Sequence, residues 1–171
     1  MAAEALITDR LTLAPVTRAH AASIFACFDE RVTKYMYPSP AKELSETERL
    51  VDRFIEEHAR GTDYVFAIAL KDGGEFIGLA GLHRLQSATP ELGIWTKTAA
   101  HGHHYGREAI GALISLARSL KYESLLYPVD RRNIPSAKIP QYYGGAIAGE
   151  LVETPTADGR TLEIITYRIK L

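Results

Sequence analysis

His101-Gly102-His103-His104-Tyr105-Gly106-Arg107-Glu108-Ala109-Ile110 decides how this chain reads, because a glycine-bearing loop there runs straight into an apolar-periodic segment ending near Lys121. Ala109, Ile110, Leu113, Ile114, Leu116, Ala117 and Leu120 recur at a period near 3.6, the stripe of a helix lying on a core. The first turn of such a helix presents backbone N–H groups without intrahelical partners, together with the positive end of the helix dipole. Gly102 and Gly106 carry no side chain to hold a ligand away, so a phosphate or diphosphate can approach the main chain closely.

Upstream, Glu91-Leu92-Gly93-Ile94-Trp95-Thr96 reads as a short strand delivering the chain to this loop. Before it, Tyr64 to Leu70 and Glu75 to Leu85 form a hairpin about Asp72-Gly73-Gly74. His83 lies in the second arm and, with no ligand or nucleophile beside it in sequence, reads as structural. Leu6 to Leu13 reads as one strand, with Ile7, Leu11 and Leu13 on one face and Pro15 closing it. Thr17 can cap a helix carrying Ala21, Ile24, Phe25 and Phe28, in which Cys27 is a small core residue. The run Tyr35-Met36-Tyr37-Pro38-Ser39-Pro40 suits a loop whose aromatics pack onto the core or line a pocket. Ser45-Glu46-Thr47-Glu48 has capping-box spacing and opens an amphipathic helix to about Arg60, which Gly61 stops.

Downstream, Ser124 to Val129 is a strand, and a helix with proline in its first turn follows Asn133, shortened or kinked by Pro140. A strand around Ala146 to Val152, a turn at Ala157-Asp158-Gly159 and a strand alternating Ile165, Tyr167, Ile169 and Leu171 end the chain. This order is a mixed α/β (α+β) arrangement, one domain over 1–171.

With 20 basic against 21 acidic residues, the balance argues against wholesale nucleic-acid or membrane-surface binding. Cys27 is the only cysteine, which excludes an internal disulfide and a cysteine-based zinc framework and points to the cytoplasm. Glu4, Asp9 and Arg10 break the apolar run a signal peptide needs, and no apolar segment reaches membrane-spanning length. An ATPase-type phosphate loop would need Gly-Lys-Ser/Thr, and a dinucleotide fingerprint would need three correctly spaced glycines. His-x-His-His could in principle ligate a transition metal, but nothing around it completes a site, and no metal is expected.

Ile7-Thr-Asp-Arg-Leu-Thr-Leu13, Phe76-Ile77-Gly78, Glu91-Leu-Gly-Ile-Trp95 and Asn133-x-x-Ser136, in this order and spacing, resemble the GNAT acetyltransferases. Within them the chain is similar to the group typified by ribosomal-protein N-terminal acetyltransferases. The resemblance implies a single central, mostly antiparallel twisted sheet of about six to seven strands flanked by about four helices. It also implies acetyl-CoA as acetyl donor, its pantetheine along Ile94, Trp95 and Thr96 and its diphosphate over His101, Gly102, His103, His104, Tyr105, Gly106 and Arg107. The family's diphosphate loop, Gln/Arg-x-x-Gly-x-Gly/Ala, falls with His101 at its first position, His104 at its first glycine and Gly106 at its last. Imidazoles there assist phosphate binding only when protonated, so affinity for coenzyme A is expected to weaken as pH rises. Asn133 and Ser136 match a second cofactor motif, in which Lys138 occupies the basic position reaching toward the adenosine phosphates; Asn133 and Ser136 also suit a helix cap.

Acetyl transfer to an amine needs a proton acceptor, and the leaving thiolate benefits from a donor. Glu91 matches the family's acidic position. The position of the usual tyrosine acid is Pro140, which has no proton to give; Tyr142 and Tyr143, two and three residues on, are the candidates to stand in, with Tyr143 taken as the catalytic one. The reading is an acetyl-CoA-dependent N-acetyltransferase in which a primary amine, on a protein N-terminus or a small molecule, attacks directly in a ternary complex, by a monomer or homodimer. The alternative is a catalytically weak or inactive acyl-CoA-binding or sensing protein.

Overall fold

A computed structural model describes residues 3–171. Nine strands, β1 (Leu6–Ile7), β2 (Leu11–Pro15), β3 (Tyr64–Leu70), β4 (Phe76–His83), β5 (Glu91–Thr96), β6 (Ser124–Asp130), β7 (Ala146–Ile147), β8 (Val152–Pro155) and β9 (Thr161–Lys170), make one sheet in the order β1-β2-β3-β4-β5-β6-β9-β7, with β8 also on β9. The five helices are α1 (Ala21–Cys27), α2 (Glu30–Thr33), α3 (Leu44–Arg60), α4 (Tyr105–Ser119) and α5 (Ile134–Tyr142).

The strand and helix counts exceed the expected ones for local reasons. The expected first strand is folded back on itself at Thr8, whose N–H donates to the Leu11 carbonyl and whose hydroxyl accepts from the Leu11 N–H at 2.9 Å, so β1 pairs antiparallel with β2. Asp29 caps α2 by accepting from the N–H groups of Arg31 and Val32, adding a helical turn ahead of the expected aromatic loop. The expected strand over 146–152 is broken into β7 and β8, since five residue steps from Ile147 to Val152 face only three from Tyr167 to Ile164. Helix α3 begins one residue before the expected capping box: Glu46, not Glu48, reaches back, accepting from the Lys42 N–H at 3.1 Å. Pro140 sits buried in the last turn of α5, which ends two residues later.

Two apolar layers sandwich the sheet. On one face, α1 and α3 bury Ile24 and Val51 against Val16, Val65, Ala67 and Leu79. On the other, Ile110, Leu113, Ile114 and Ala117 of α4 cover Leu82, Leu92 and Leu125, and Ala137 brings α5 onto the same side. Every strand pair is antiparallel except β5 and β6, the two strands that α4 connects. That parallel pair has one register partner, Glu91 opposite Leu126, secured by the Leu126 N–H to the Pro90 carbonyl at 2.9 Å. In a parallel ladder the next donor toward β5 belongs two residues on, at Pro128, which has no N–H. The ladder therefore stops and the strands part.

Candidate active site

The fork opened at Pro128 holds a cavity of about 500 Å³, walled by Glu91, Leu92, Gly93 and Ile94 of β5 and by Tyr127, Pro128, Val129 and Asp130 of β6. Tyr35, Met36, Tyr37 and Pro38 close it from the side of α1, and Asn133 and Ser136 from the start of α5. The aromatic loop after α2, open to either packing or a pocket role, reaches the cavity.

Strand alternation supplies its backbone chemistry. The Lys97 N–H donates to the Ile77 carbonyl at 2.7 Å, so odd-numbered residues at this end of β5 face β4 and even-numbered ones face away. The N–H and C=O of Ile94 thus turn into the fork, past the last paired residues of β5 and β6. The Trp95 side chain instead packs under α1, its ring 5.0 Å from Phe28 and 6.0 Å from Phe76, and its N–H and C=O face β4, so it turns no polar group into the fork. The Thr96 carbonyl accepts from His101 Nε2 at 2.9 Å, tying the loop back to the strand that precedes it.

The loop before α4 is open. His104 is the N-cap residue with φ 62° and ψ 19°, the left-handed conformation that glycine adopts freely, and it makes no side-chain cap hydrogen bond. The family motif has glycine at this position, and the backbone here keeps glycine's conformation with an imidazole attached. The first-turn N–H groups of Tyr105, Gly106 and Arg107 therefore point out of an uncapped helix end. His103 stacks on Tyr105 with centroids 5.3 Å apart, and Arg10 lies over the same ring at 4.7 Å. A Cβ on Gly106 would stand 3.4 Å from Ile139 Cδ1 and 3.5 Å from Ile94 Cδ1, so the helix mouth abuts both β5 and α5. Glu108 does not face this mouth: it accepts from the Thr8 hydroxyl, the Arg10 N–H and Arg10 Nε, pinning the β1–β2 turn.

At α5, Asn133 caps the helix by accepting from the Ser136 N–H at 3.4 Å, leaving its amide NH₂ toward the cavity. The Ser136 and Tyr127 hydroxyls are hydrogen-bonded at 2.8 Å; burial pushes the Tyr127 phenol up to about 12, against the smaller opposing effect of Ser136. Lys138 is exposed on the outer side of α5.

The two residues singled out for proton transfer do not come together. Glu91 lies in the cavity wall with Oε1 accepting from Arg84 Nη1 at 2.7 Å. Tyr143 lines a separate groove between β1 and α4, where its hydroxyl donates to the Arg107 carbonyl at 2.8 Å. Its hydroxyl oxygen would lie 2.5 Å from a Cβ on Gly111, so it is held against the outside of α4. Sequence reasoning missed Asp130, fully buried and accepting from Arg132 Nε and Nη2 and from the N–H groups of Arg132 and Glu163. It also missed the Tyr127–Ser136 pair; the signal that could have exposed the fork is Pro128 inside an otherwise central strand.

The sheet is thus open and forked at its one parallel pair among the described residues, with an uncapped helix mouth beside the fork. The chain matches the acetyltransferase (GNAT) domain family over residues 10–145 and belongs to it. It is 25% identical over 170 residues to an N-acetyltransferase of Bacillus licheniformis designated p20, itself uncharacterised, covering 97% of this chain and 96% of that one. The fold is shared with RimL, the ribosomal L7/L12 alpha-N-protein acetyltransferase, in complex with coenzyme A, at a TM-score of 0.87, 15% identity and 98% coverage of both chains. It is shared also with the ribosomal-protein-S5-alanine acetyltransferase of Vibrio fischeri, at a TM-score of 0.81, 15% identity and coverage of 98% of this chain and 97% of that one. Among the described residues no group of three or more His, Cys, Asp or Glu side chains could hold a metal ion, and no helix is long and apolar enough to cross a membrane.

Proposed function

We propose that this chain transfers the acetyl group of acetyl-CoA to a primary amine, carried by a protein N-terminus or a small molecule, by direct attack in a ternary complex. The observation that carries the reading is the fork itself: the Ile94 backbone amide, turned away from β4, faces a cavity, and the uncapped start of α4 lies against the same residue, a Cβ on Gly106 standing 3.5 Å from Ile94 Cδ1. The pantetheine arm, which needs amide partners, is read along Ile94 to Thr96, and the diphosphate over the N–H groups of residues 102–107. Asn133 has its amide NH₂ to offer the arm, and Lys138 its exposed ammonium to the adenosine phosphates.

The Ile94 N–H is aimed where a thioester carbonyl develops negative charge, and a fixed donor of this kind stabilises that charge without reorganising. Holding amine and thioester together in one cavity supplies proximity. The Ser136 hydroxyl, backed by the Tyr127 phenol, is the nearest proton source on the α5 side for the departing thiolate. Glu91, one oxygen already held by Arg84, is best suited to draw and orient the positively charged acceptor.

The test is stabilisation by acetyl-CoA in a thermal-shift assay, followed by thiol release with a panel of N-terminal peptides, polyamines and aminoglycosides. Thiol release dependent on one amine class supports the reading. Binding without release from any amine leaves an acyl-CoA-binding protein, the reading favoured by the imidazole at 104 and the proline at 140. No binding overturns both.

A further inference from the structure

We infer that His83 and Asp63 form a proton-accepting dyad serving the acceptor amine, with His83 Nε2 as the atom that takes the proton. This rests on the acetyl-transfer reading and adds the base to it. His83 Nδ1 lies 3.0 Å from Asp63 Oδ1, which also accepts from the Arg84 N–H at 3.2 Å. A carboxylate accepts only, so the neutral imidazole carries its hydrogen on Nδ1 and keeps the lone pair on Nε2.

The sequence clears a seat for that nitrogen. His83 and Gly81 are on one face of β4, and Gly93 is opposite Gly81 on β5. A Cβ on Gly81 would stand 2.2 Å from His83 Nε2, and one on Gly93 would stand 3.1 Å from it. The ring lies across both glycines, and Nε2 has no protein partner among the described residues. Gly93 is itself part of the cavity wall, so the free nitrogen, seated over Gly93, stands at the cavity's edge. The charged groups around the imidazole are Asp63, just before β3, and Glu91, its cross-strand partner, whose charge Arg84 answers. Glu91 is committed to a cation and Tyr143 to a helix carbonyl, while His83 Nε2 is uncommitted.

In the reaction, Nε2 takes one proton from the ammonium, and Asp63 stabilises the resulting imidazolium. The neutral amine nitrogen then forms a bond to the thioester carbon and the C–S bond breaks. The thiolate takes its proton from the Ser136 hydroxyl, which recovers the remaining ammonium-type proton from nitrogen, giving free thiol and neutral amide, and the imidazolium returns its proton to solvent.

The experiment compares wild type, His83→Gln, Asp63→Asn, Gly81→Ala and Glu91→Gln with the amine that turns over in the panel above. His83→Gln is expected to lower kcat/KM by about 100-fold or more at neutral pH with acetyl-CoA affinity unchanged. Its rate should then climb with pH toward the ionisation of the amine itself, without the inflection of the wild type. Asp63→Asn should lower kcat/KM as well, because the imidazole loses the partner that fixes its tautomer and the imidazolium its counter-charge. Gly81→Ala keeps both dyad residues but displaces the ring, and should show the same loss. Glu91→Gln should raise the acceptor KM and keep the inflection. In the acceptor-free protein, long-range ¹H–¹⁵N spectra should show His83 as the Nδ1–H tautomer. An Nε2–H tautomer, or a His83→Gln enzyme with the wild-type pH profile, overturns the dyad while leaving acetyl transfer standing; absence of any turnover by wild type overturns both.

Discussion

The fork and the loop before α4 are adjoining parts of one candidate site, yet their polar groups are handled in opposite ways. In the fork walls Asp130 accepts four hydrogen bonds, Tyr127 meets Ser136, and Glu91 meets Arg84. At the loop, the cap residue caps nothing, the first-turn N–H groups are unanswered, and His103 only stacks on its neighbour Tyr105. Groups that answer one another contribute to folding, whereas groups left unanswered cost stability and are what an incoming ligand can use. Substitutions in the fork walls should therefore lower the melting temperature first, and substitutions in the loop should change ligand affinity first.

The largest effect is expected at Asp130, whose carboxylate is inaccessible to solvent. Asp130→Asn removes the charge facing Arg132 and places an NH₂ where acceptors are needed, at a cost of about 2–3 kcal/mol. For a chain of this length that corresponds to a melting temperature lower by roughly 5–10 °C. Burial acts to raise this carboxyl, but the Arg132 side-chain bonds and the backbone N–H groups of Glu163 and Arg132 outweigh it and bring it to about 2, from an ordinary 3.8. A depressed carboxyl stabilises the fold above its unfolded value and stops doing so as pH falls through its folded value. Wild type should therefore lose stability between about pH 4 and 2, and Asp130→Asn should lose less over the same interval, as read by acid titration of circular dichroism. An Asp130→Asn protein as stable as wild type would break the comparison. Tyr127→Phe is the next step down: it leaves the Ser136 hydroxyl without its partner, and about 1 kcal/mol should be lost.

The same division explains which parts of the molecule were legible in the sequence. Helix α4, the β3–β4 hairpin and the final strand carry their evidence locally, as a period of 3.6, a period of 2, or a glycine turn. The site is read only in part that way. Gly102, His104 and Asn133 are recognisable because a backbone motif is contiguous. The dyad is not, since Asp63 and His83 are 20 residues apart and meet only through the β3–β4–β5 register. Tyr143 had the right chemistry at nearly the right position, but a glycine at 111 draws its hydroxyl onto the outside of α4. Pro128 was visible all along; its consequence needs the knowledge that its missing N–H falls on the side of β5.

A smaller effect is expected from the loop imidazoles. His101 is tied to the Thr96 carbonyl, which leaves His103 and His104 as the exposed rings nearest the helix mouth. They can add donors and positive charge where a diphosphate is expected to lie, so His103→Gln should weaken coenzyme A binding a few-fold, about 1 kcal/mol or less. Calorimetric titration reads the change; an affinity equal to that of wild type would show that this ring does not sense the phosphates.

The smallest effect is the most diagnostic. His104 holds a left-handed conformation, which costs a residue with a Cβ about 1–2 kcal/mol, whereas glycine there loses about 0.5–1 kcal/mol more conformational entropy on folding. The difference leaves His104→Gly more stable by about 0.5 kcal/mol, helped by glycine's tolerance as an N-cap. At Asp130 a substitution toward the ordinary loses stability because the residue is answered by its surroundings; at 104 it should gain, because nothing answers the imidazole. If the ring merely narrows the mouth, His104→Gly should also bind coenzyme A more tightly. If the ring instead contributes to holding the phosphates, the variant should bind more weakly while still melting higher, so affinity and stability would move in opposite directions at one residue.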